Sequence, residues 1–362
     1  MLKISPRLLA IVIGAVLCLS ACAAPPVAPR VFWPPPPGEP RLEFLGVYYS
    51  QDNFPKTASE RLAENVVGKP PMSLFQRPFG IAADGKGVVY VSDADERQVK
   101  VFDFNARTVS YLVKGKVFTL PFGLAVDRAG NLYVADAGPP AILVFGPDHQ
   151  PKFSFGSREQ FDKPVYLAIN EDLGRIYVSD GLGHKIAAFD MAGNPLFTFG
   201  KPGAGPGELH SPQGLAIAPD GRVFVADMFN ARIQTFDADG NYLSEFGERG
   251  DRQWQFEAPK DLVFDSEGNL HVIDARKAAL LTYRPDGTLL LYTSSGKTAS
   301  PLALALPAAI SIDQNDTLYV TDQINRRFAR WQYLNAPYLQ EHPISEEEME
   351  AVRRRAEEIE KK

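Results

Sequence analysis

The sequence predicts an all-β protein that folds as one six-bladed β-propeller. Two observations lead to this prediction: one motif recurs six times, and each copy has room for about four short strands. Every copy begins with a proline and an apolar run, and later reaches a Val-x-Asp sequence. The leading prolines are Pro78, Pro121, Pro164, Pro212, Pro259 and Pro307, spaced by 43 to 48 residues. A period in the forties with several strands per unit is typical of propeller blades.

Each repeat is interpreted as four strands, a to d. Strand a is the apolar run after the proline, and strand b ends at the aspartate. A tight turn joins them, as in Asp127–Gly130, where the glycine suits a short hairpin loop. Strand c is the next apolar stretch, for example Ile233–Phe236, and strand d follows, as in Tyr242–Phe246.

The last repeat lacks its fourth strand, because the pattern ends at Tyr333-Leu334. Residues 41–47 precede the first repeat and alternate between apolar and polar side chains, as a strand should. We expect them to complete blade six and close the ring, which removes the open edges that invite aggregation. The propeller is therefore predicted to span residues 41–334.

Two segments stand outside the repeat pattern. Residues 51–77 form an insertion before blade one, in which Ser59–Val67 is a candidate short helix. The charged tail, residues 335–362, is predicted to be helical, because Ser345 can cap an acidic first turn and an apolar stripe includes Met349 and Val352. Three interpretations of this helix stay open: a solvated helix, a partner-binding helix, or a helix packed on the propeller.

The N-terminus carries a sorting signal. Lys3 and Arg7 precede the apolar run Leu8–Leu19, which is too short to span a bilayer comfortably and fits a signal peptide of residues 1–21. Leu19-Ser-Ala-Cys22 resembles the lipobox of bacterial lipoproteins. That resemblance implies that Cys22 becomes the first mature residue and is acylated. The alternatives are an ordinary secreted protein cleaved near Ala21, or an uncleaved anchor.

A lipid anchor would set the location of the domain. Residues 22–40 are rich in proline and are predicted to be an extended tether of about 50 Å between membrane and propeller. Ala23 follows the cysteine, which in the enteric sorting rule favours the outer membrane. The expected location is therefore the cell envelope, facing either the periplasm or the exterior. Cys18 would leave with the signal peptide, so no disulfide is expected.

The motifs resemble NHL repeats: Pro-x-Gly-Ile-Ala-Val-Asp, then Tyr-Val-Ala-Asp, then Asn-x-Arg-Ile-Gln-x-Phe. Blade four has the best copy of the last motif, Asn230–Phe236, whereas blades two, five and six depart from it. The resemblance covers about residues 40–334 and extends to Trp33-Pro in the leader, which looks like bacterial propeller lipoproteins. It implies the six-bladed fold but no particular activity, because NHL domains share one fold across many activities.

One carboxylate recurs at the end of strand b in every repeat. These residues are Asp93, Asp136, Asp180, Asp227, Asp274 and Asp322. Such a ring suggests either a cation site or a set of caps for backbone N–H groups of nearby loops. Because functional sites usually break the symmetry of a repeat, we interpret the ring as structural.

The candidate binding surface is the face on which strand a begins and strand b ends, hereafter the channel-mouth face. Its loops differ between blades, and variable loops on a rigid scaffold can carry specificity. The predicted contact residues are His184, His210, Gln213, Asn230, Arg232, Arg249, Trp254, Lys260 and Arg326. Phe79, Phe122 and Tyr166 either form an apolar half of this site or plug the channel.

A metal site has one minimal candidate. His184 and His210 lie in adjacent repeats on this face, and Asp227 is a nearby carboxylate. A third histidine facing the channel is missing from the sequence. We therefore expect no metal, no cofactor and no catalytic residue.

Two functions remain possible. The first is a membrane-tethered binding or assembly module for envelope proteins or polymers. The second is a metal-dependent periplasmic lyase or lactone hydrolase with its site at the channel mouth. Signature motifs for a Gly-x-Ser-x-Gly nucleophile, a phosphate loop and haem attachment are missing, which favours the first. A formal net charge of -6 argues against nucleic acid as the partner.

Overall fold

The computed structural model describes residues 30–35, 38–57, 59, 62, 64, 74–294 and 302–360. The chain begins with β1 (Val31–Trp33) and β2 (Leu42–Tyr48). Blade one contains β3 (Pro78–Ala83), β4 (Val88–Asp93), β5 (Gln98–Asp103) and β6 (Thr108–Tyr111). Blade two contains β7 (Pro121–Val126), β8 (Leu132–Ala137), β9 (Pro140–Phe145) and β10 (Pro151–Phe155). Blade three contains β11 (Pro164–Asn170), β12 (Arg175–Asp180), β13 (Lys185–Asp190) and β14 (Pro195–Phe199).

The second half of the ring repeats this pattern. Blade four contains β15 (Pro212–Ile217), β16 (Val223–Asp227), β17 (Arg232–Phe236) and β18 (Tyr242–Phe246). Blade five contains β19 (Pro259–Phe264), β20 (Leu270–Asp274), β21 (Ala279–Tyr283) and β22 (Leu289–Thr293). Blade six contains β23 (Pro307–Ile312), β24 (Thr317–Asp322) and β25 (Arg327–Tyr333). Each innermost strand contacts the innermost strands of both neighbouring blades, so the sheets form the predicted six-bladed propeller.

Blade six is closed by the N-terminal strand, as predicted. Strand β2 pairs antiparallel with β25, from Leu42 opposite Tyr333 to Tyr48 opposite Phe328. Leu42 is fully buried, and the Tyr48 ring stacks on Phe328 with centroids 5.2 Å apart. The seam of the ring is thus sealed by side-chain packing as well as by main-chain hydrogen bonds.

The leader differs from the predicted tether. Strand β1 adds a fifth strand to blade six, with Val31 opposite Phe44 and Trp33 opposite Leu42. The Trp33 indole N–H donates to the carbonyl of Tyr292 in blade five at 3.2 Å. The outer edge of β2 offers unpaired main-chain groups, and β1 satisfies part of them. Residues 30–35 of the predicted tether therefore belong to the folded domain. Residues 22–29 lie outside the described part of the chain, as do the predicted signal peptide and Cys22.

The C-terminal tail begins on the rim of blade six. It forms α1 (Ala336–Glu341) and α2 (Glu346–Glu360), which confirms the predicted helix. The Arg30 guanidinium binds Glu43 through two hydrogen bonds of 2.9 and 2.7 Å, and Tyr338 donates to the same carboxylate at 3.1 Å. Arg30 also lies 3.6 Å from Glu348 in the first turn of α2. These contacts join the leader, blade six and the tail.

The insertion before blade one is only partly described. Gln51–Asn53 form a single 3-10 turn capped by Ser50. Most of the candidate helix Ser59–Val67 falls outside the residues that the structure describes. None of the described helices is both long and apolar enough to cross a bilayer.

Most of the core lies between the blades, and one of its clusters extends to the centre of the ring. Aromatic side chains from strands c and d and from the connectors fill each gap. Phe155 and Phe161 pack on Phe189 with ring centroids 5.0 and 5.5 Å apart, and Phe199 packs on Phe236 at 4.8 Å. Burying such a side chain contributes about 1.5–3 kcal/mol, so the repeats stabilise one another pairwise.

Candidate functional site

The aspartate ring has the predicted structural role. Asp180 accepts backbone N–H groups from Asp162 and Lys163, in the connector entering its own blade, and from Gly183 in the b–c loop. Asp136 holds the backbone N–H groups of its own connector in the same way. The ring therefore fixes the loops of the channel-mouth face, and its oxygens are engaged by the backbone.

The channel mouth is ringed by the residues that follow the leading prolines. These are Phe79, Phe122, Val165, Gln213, Lys260 and Ala308. The rings of Phe79 and Phe122 lie 4.6 Å apart, and Phe79 lies 5.5 Å from Tyr166 in the layer below. All three side chains are at most 8% exposed, so they fill the mouth and form a plug. Of the two interpretations of these aromatic residues, the geometry favours the plug.

The layer below the mouth departs from the repeat at two positions. Most blades carry a small residue here, and a Cβ on Gly80 would come within 2.2 Å of the Phe122 carbonyl oxygen. Tyr166 instead reaches across the channel and donates its hydroxyl to the Ala308 carbonyl. Beneath it lies a cavity of about 310 Å³ lined by the innermost strands of all six blades.

The second departure is a buried carboxyl. Asp261 accepts the backbone N–H of Ile310 at 2.9 Å and that of Leu262 at 3.0 Å. Burial raises the pKa of this carboxyl to about 8. Its oxygens join blades five and six, so Asp261 acts as a bridge between strands and lines the channel.

Lys260 and Gln213 lie together at the polar side of the mouth. The Lys260 ammonium donates to the Gln213 side-chain oxygen at 2.7 Å and lies 5.3 Å from the centre of the Phe79 ring. Burial, followed by the nearby Lys163 ammonium, lowers the pKa of Lys260 to about 8. Both residues were predicted to be contact residues, and both border the mouth.

The two predicted histidines are neighbours. The rings of His184 and His210 lie 5.3 Å apart, and His210 lies 5.1 Å from Phe229. His184 accepts the backbone N–H of Ser211 through Nδ1 at 3.0 Å, which fixes its ring and leaves Nε2 to carry the proton in the neutral form. His210 is exposed on the channel-mouth face.

The third member of the minimal metal site is already occupied. Asp227 is fully buried and accepts from the Arg232 guanidinium at 2.9 Å, from Asn230 at 2.8 Å and from the His210 backbone at 2.7 Å. Arg232 also binds Glu245 and two carbonyls of the connector before blade four. Asn230 and Arg232 thus serve the internal network. Among the described residues, no group of three His, Cys, Asp or Glu side chains could hold a metal ion.

The remaining predicted contact residues lie on the surface. Arg249 is exposed, although its guanidinium donates to the Phe229 carbonyl at 2.7 Å, and Arg326 is exposed in the b–c loop of blade six. Trp254 is 50% exposed, and the Arg252 guanidinium lies 5.2 Å from the centre of its ring.

Sequence reasoning missed three apolar side chains on the same face. Leu182, Phe229 and Ile324 are 62%, 54% and 65% exposed. Each is the second residue after the aspartate of strand b, in blades three, four and six. The sequence could have predicted these residues, because an apolar side chain recurs at the same loop position in three repeats.

The opposite face has a different character. A cavity of about 530 Å³ opens there, lined by turns of blades one, two, three and six. It is bordered by Asp84, Asp127, Arg128 and His149, and His149 lies 3.2 Å from the Tyr90 hydroxyl. The carboxylates of Asp84 and Asp127 accept backbone N–H groups of their own turns. These groups hold hairpins together.

No protein-family model and no curated protein matches this chain. Solved structures do resemble it. A streptogramin B lyase has a TM-score of 0.55 at 10% identity, covering 72% of this chain and 94% of that one. A gluconolactonase from Xanthomonas campestris has a TM-score of 0.58 at 19% identity, covering 86% and 100%. A protein of unknown function from Bacteroides thetaiotaomicron has a TM-score of 0.59 at 18% identity, covering 72% and 70%. At these identities, the likeness establishes the six-bladed propeller fold and nothing finer.

Proposed function

We propose that this protein is a membrane-tethered, extracytoplasmic propeller that binds an envelope protein or polymer through its channel-mouth face. One observation carries the proposal: Leu182, Phe229, Trp254 and Ile324 expose half or more of their surface on loops of this one face. Exposed apolar groups rimmed by polar residues are typical of interaction sites. Arg and Trp are also favoured anchors of interfaces, which fits Arg252 and Trp254.

The tether rests on the sequence. The lipobox-like Leu19-Ser-Ala-Cys22 supports acylation at Cys22 after removal of residues 1–21, and the NHL-like motifs with the leader Trp33-Pro support a propeller lipoprotein. Because β1 docks on blade six, the proposed tether comprises residues 22–29 at most. Eight extended residues reach about 25 Å, half of the span expected from the sequence. A tether of this length would keep blade six close to the membrane.

The test is cross-linking in intact cells with a variant that removes two exposed rings. Phe229→Ala with Trp254→Ala should reduce the affinity for the partner at least about thirtyfold and lower the cross-linked yield accordingly, because truncating one interface anchor typically costs about 2 kcal/mol or more. The melting temperature should not change, since both side chains are about half exposed.

The matched control lies on the opposite face. Leu173 is 50% exposed in a turn of blade three, so Leu173→Ala removes exposed apolar surface away from the proposed site. It should leave the cross-linked yield unchanged. If the control loses the partner and the double variant does not, the partner binds the opposite face. If neither variant changes the yield, the channel-mouth face is not the binding surface.

A second candidate is a metal-dependent lyase or lactone hydrolase at the channel mouth. The observation that favours it is the His184–His210 pair at 5.3 Å, on a fold shared with a streptogramin B lyase and a gluconolactonase. Against it stand the engaged Asp227 and the ammonium group of Lys260 at the mouth. Elemental analysis of the purified protein decides: one tightly held divalent metal per chain, lost in His184→Ala, supports this candidate.

A further inference from the structure

The channel mouth carries a concentration of positive charge that the repeat pattern does not require. Lys163 precedes the leading proline of blade three, Lys260 follows that of blade five, and Arg77 precedes that of blade one. Because the leading prolines surround the channel, all three residues lie around its mouth, and Lys163 interacts electrostatically with both Arg77 and Lys260. In the corresponding positions of the other blades the residues are neutral.

The two lysines rest on the aromatic plug. The Lys163 ammonium lies 4.9 Å from the centre of the Phe122 ring, and the Lys260 ammonium lies 5.3 Å from that of Phe79. The two rings touch, with centroids 4.6 Å apart. The faces of aromatic rings attract cations, so the plug holds both ammonium groups above the channel.

This arrangement leaves the positive charge largely uncompensated. Lys260 donates to a neutral amide, that of Gln213, and within the described part of the chain no carboxylate forms a salt bridge with Lys163. Only Arg77 has an acidic partner there, Asp95 at 2.8 Å. Burial and the neighbouring Arg77 lower the pKa of Lys163, and burial and Lys163 lower that of Lys260. Asp261 is a carboxyl that interacts with Lys260, but burial raises the pKa of Asp261 to about 8, so it is largely protonated at pH 7. Two cations that rest on touching rings, with no salt bridge to a carboxylate of the described residues, are complementary to an oxyanion.

We propose that Lys163 and Lys260, with Gln213 beside them, form a binding site for one carboxylate or phosphate group at the channel mouth. This inference rests on the proposed function, because the site lies on the proposed binding face. It specifies that the ligand of this face carries a carboxylate or phosphate group. Gln213 keeps its amide nitrogen near the mouth, where it lies 3.2 Å from the Ser211 hydroxyl. The same charges would repel a divalent cation, which sets this site apart from a metal-dependent lyase.

Lysine labelling of the intact protein tests the site without knowledge of the partner. The amines are acylated with a neutral succinimidyl ester at pH 7.5, and the rate at each lysine is read by peptide mass spectrometry. Sodium phosphate or acetate is compared with sodium chloride at equal ionic strength. A bound oxyanion raises the pKa of the amine it contacts, and a rise of about one unit lowers the free amine of Lys260 about eightfold at this pH.

The internal control is Lys116, an exposed lysine on the same face. Phosphate or acetate should slow labelling of Lys163 and Lys260 at least about threefold and leave Lys116 unchanged. Lys260→Gln should then abolish the protection of Lys163. Protection by phosphate alone assigns the site to a phosphoryl group, and protection by acetate alone assigns it to a carboxylate.

Unchanged rates in both anions, or equal slowing at Lys116, would overturn the site. That outcome is distinguishable from failure of the proposed function. The cross-linking variants at Phe229 and Trp254 report on the outer loops, whereas labelling reports only on the mouth.

Discussion

Lys260→Met should stabilise the protein below pH 8, and this gain should disappear above pH 10. The folded state lowers the pKa of Lys260 from 10.5 to about 8. The folded protein therefore bears a desolvation cost below pH 8, which disappears as the pH rises from 8 towards the unfolded value of 10.5. A shift of this size corresponds to about 3 kcal/mol. Methionine keeps the packing on Phe79 but loses the hydrogen bond to Gln213, worth about 1 kcal/mol.

The net gain in the free energy of unfolding should thus be about 1–2 kcal/mol at pH 6. Urea denaturation followed by circular dichroism at pH 6 and at pH 10.5 measures it. Asp261 and Lys163 interact electrostatically with the ammonium and remain in both proteins, so the measured difference includes the change in the titration of Asp261 when this charge is removed. Lys116→Met, at an exposed site, should show no gain at either pH. A gain that is equal at both pH values would mean that methionine acts by packing alone and would refute the charge argument.

The remaining predictions concern the seam and the anchor. Leu42→Ala should lower the free energy of unfolding by about 2–5 kcal/mol, because Leu42 is fully buried where β2 closes the ring. The control is Leu62→Ala, at a 65% exposed site. In the same urea titration, it should change the free energy of unfolding by less than about 0.5 kcal/mol. Cys22→Ala should abolish incorporation of labelled fatty acid and release the protein from the membrane fraction, and a wild type that takes up no label would remove the lipid anchor.

The strands of the propeller could be predicted closely from the sequence. The predicted strand d of blade four, Tyr242–Phe246, matches β18, and the predicted closing strand 41–47 differs from β2 by one residue at each end. This accuracy comes from repetition, because aligning six copies of one apolar pattern fixes strand boundaries that a single copy leaves ambiguous. The short strand Val31–Trp33 has no such support, because it forms only where β2 presents a free edge.

The candidate site was less predictable, for a physical reason. Asn230 and Arg232 belong to the repeat motif, and the structure uses them inside the network of Asp227. Lys163 lies next to a leading proline, where a single sequence does not reveal that its side chain turns onto Phe122. Position in the repeat indicates which loop a residue occupies, but the direction of a long side chain depends on contacts between blades.

Departures from the repeat are the most informative positions of this chain. Tyr166 and Asp261 occupy a layer where a glycine of another blade has no room for a Cβ, and Lys260 brings a charge to a plug of aromatic rings. Burying a charged or polar group costs free energy unless it is paired, and here a neutral amide is the partner of Lys260. Proteins retain such costs mainly at functional sites. These departures lie together at one end of the channel. A ligand with an oxyanion would bind there and supply the negative charge that Lys260 lacks as a partner.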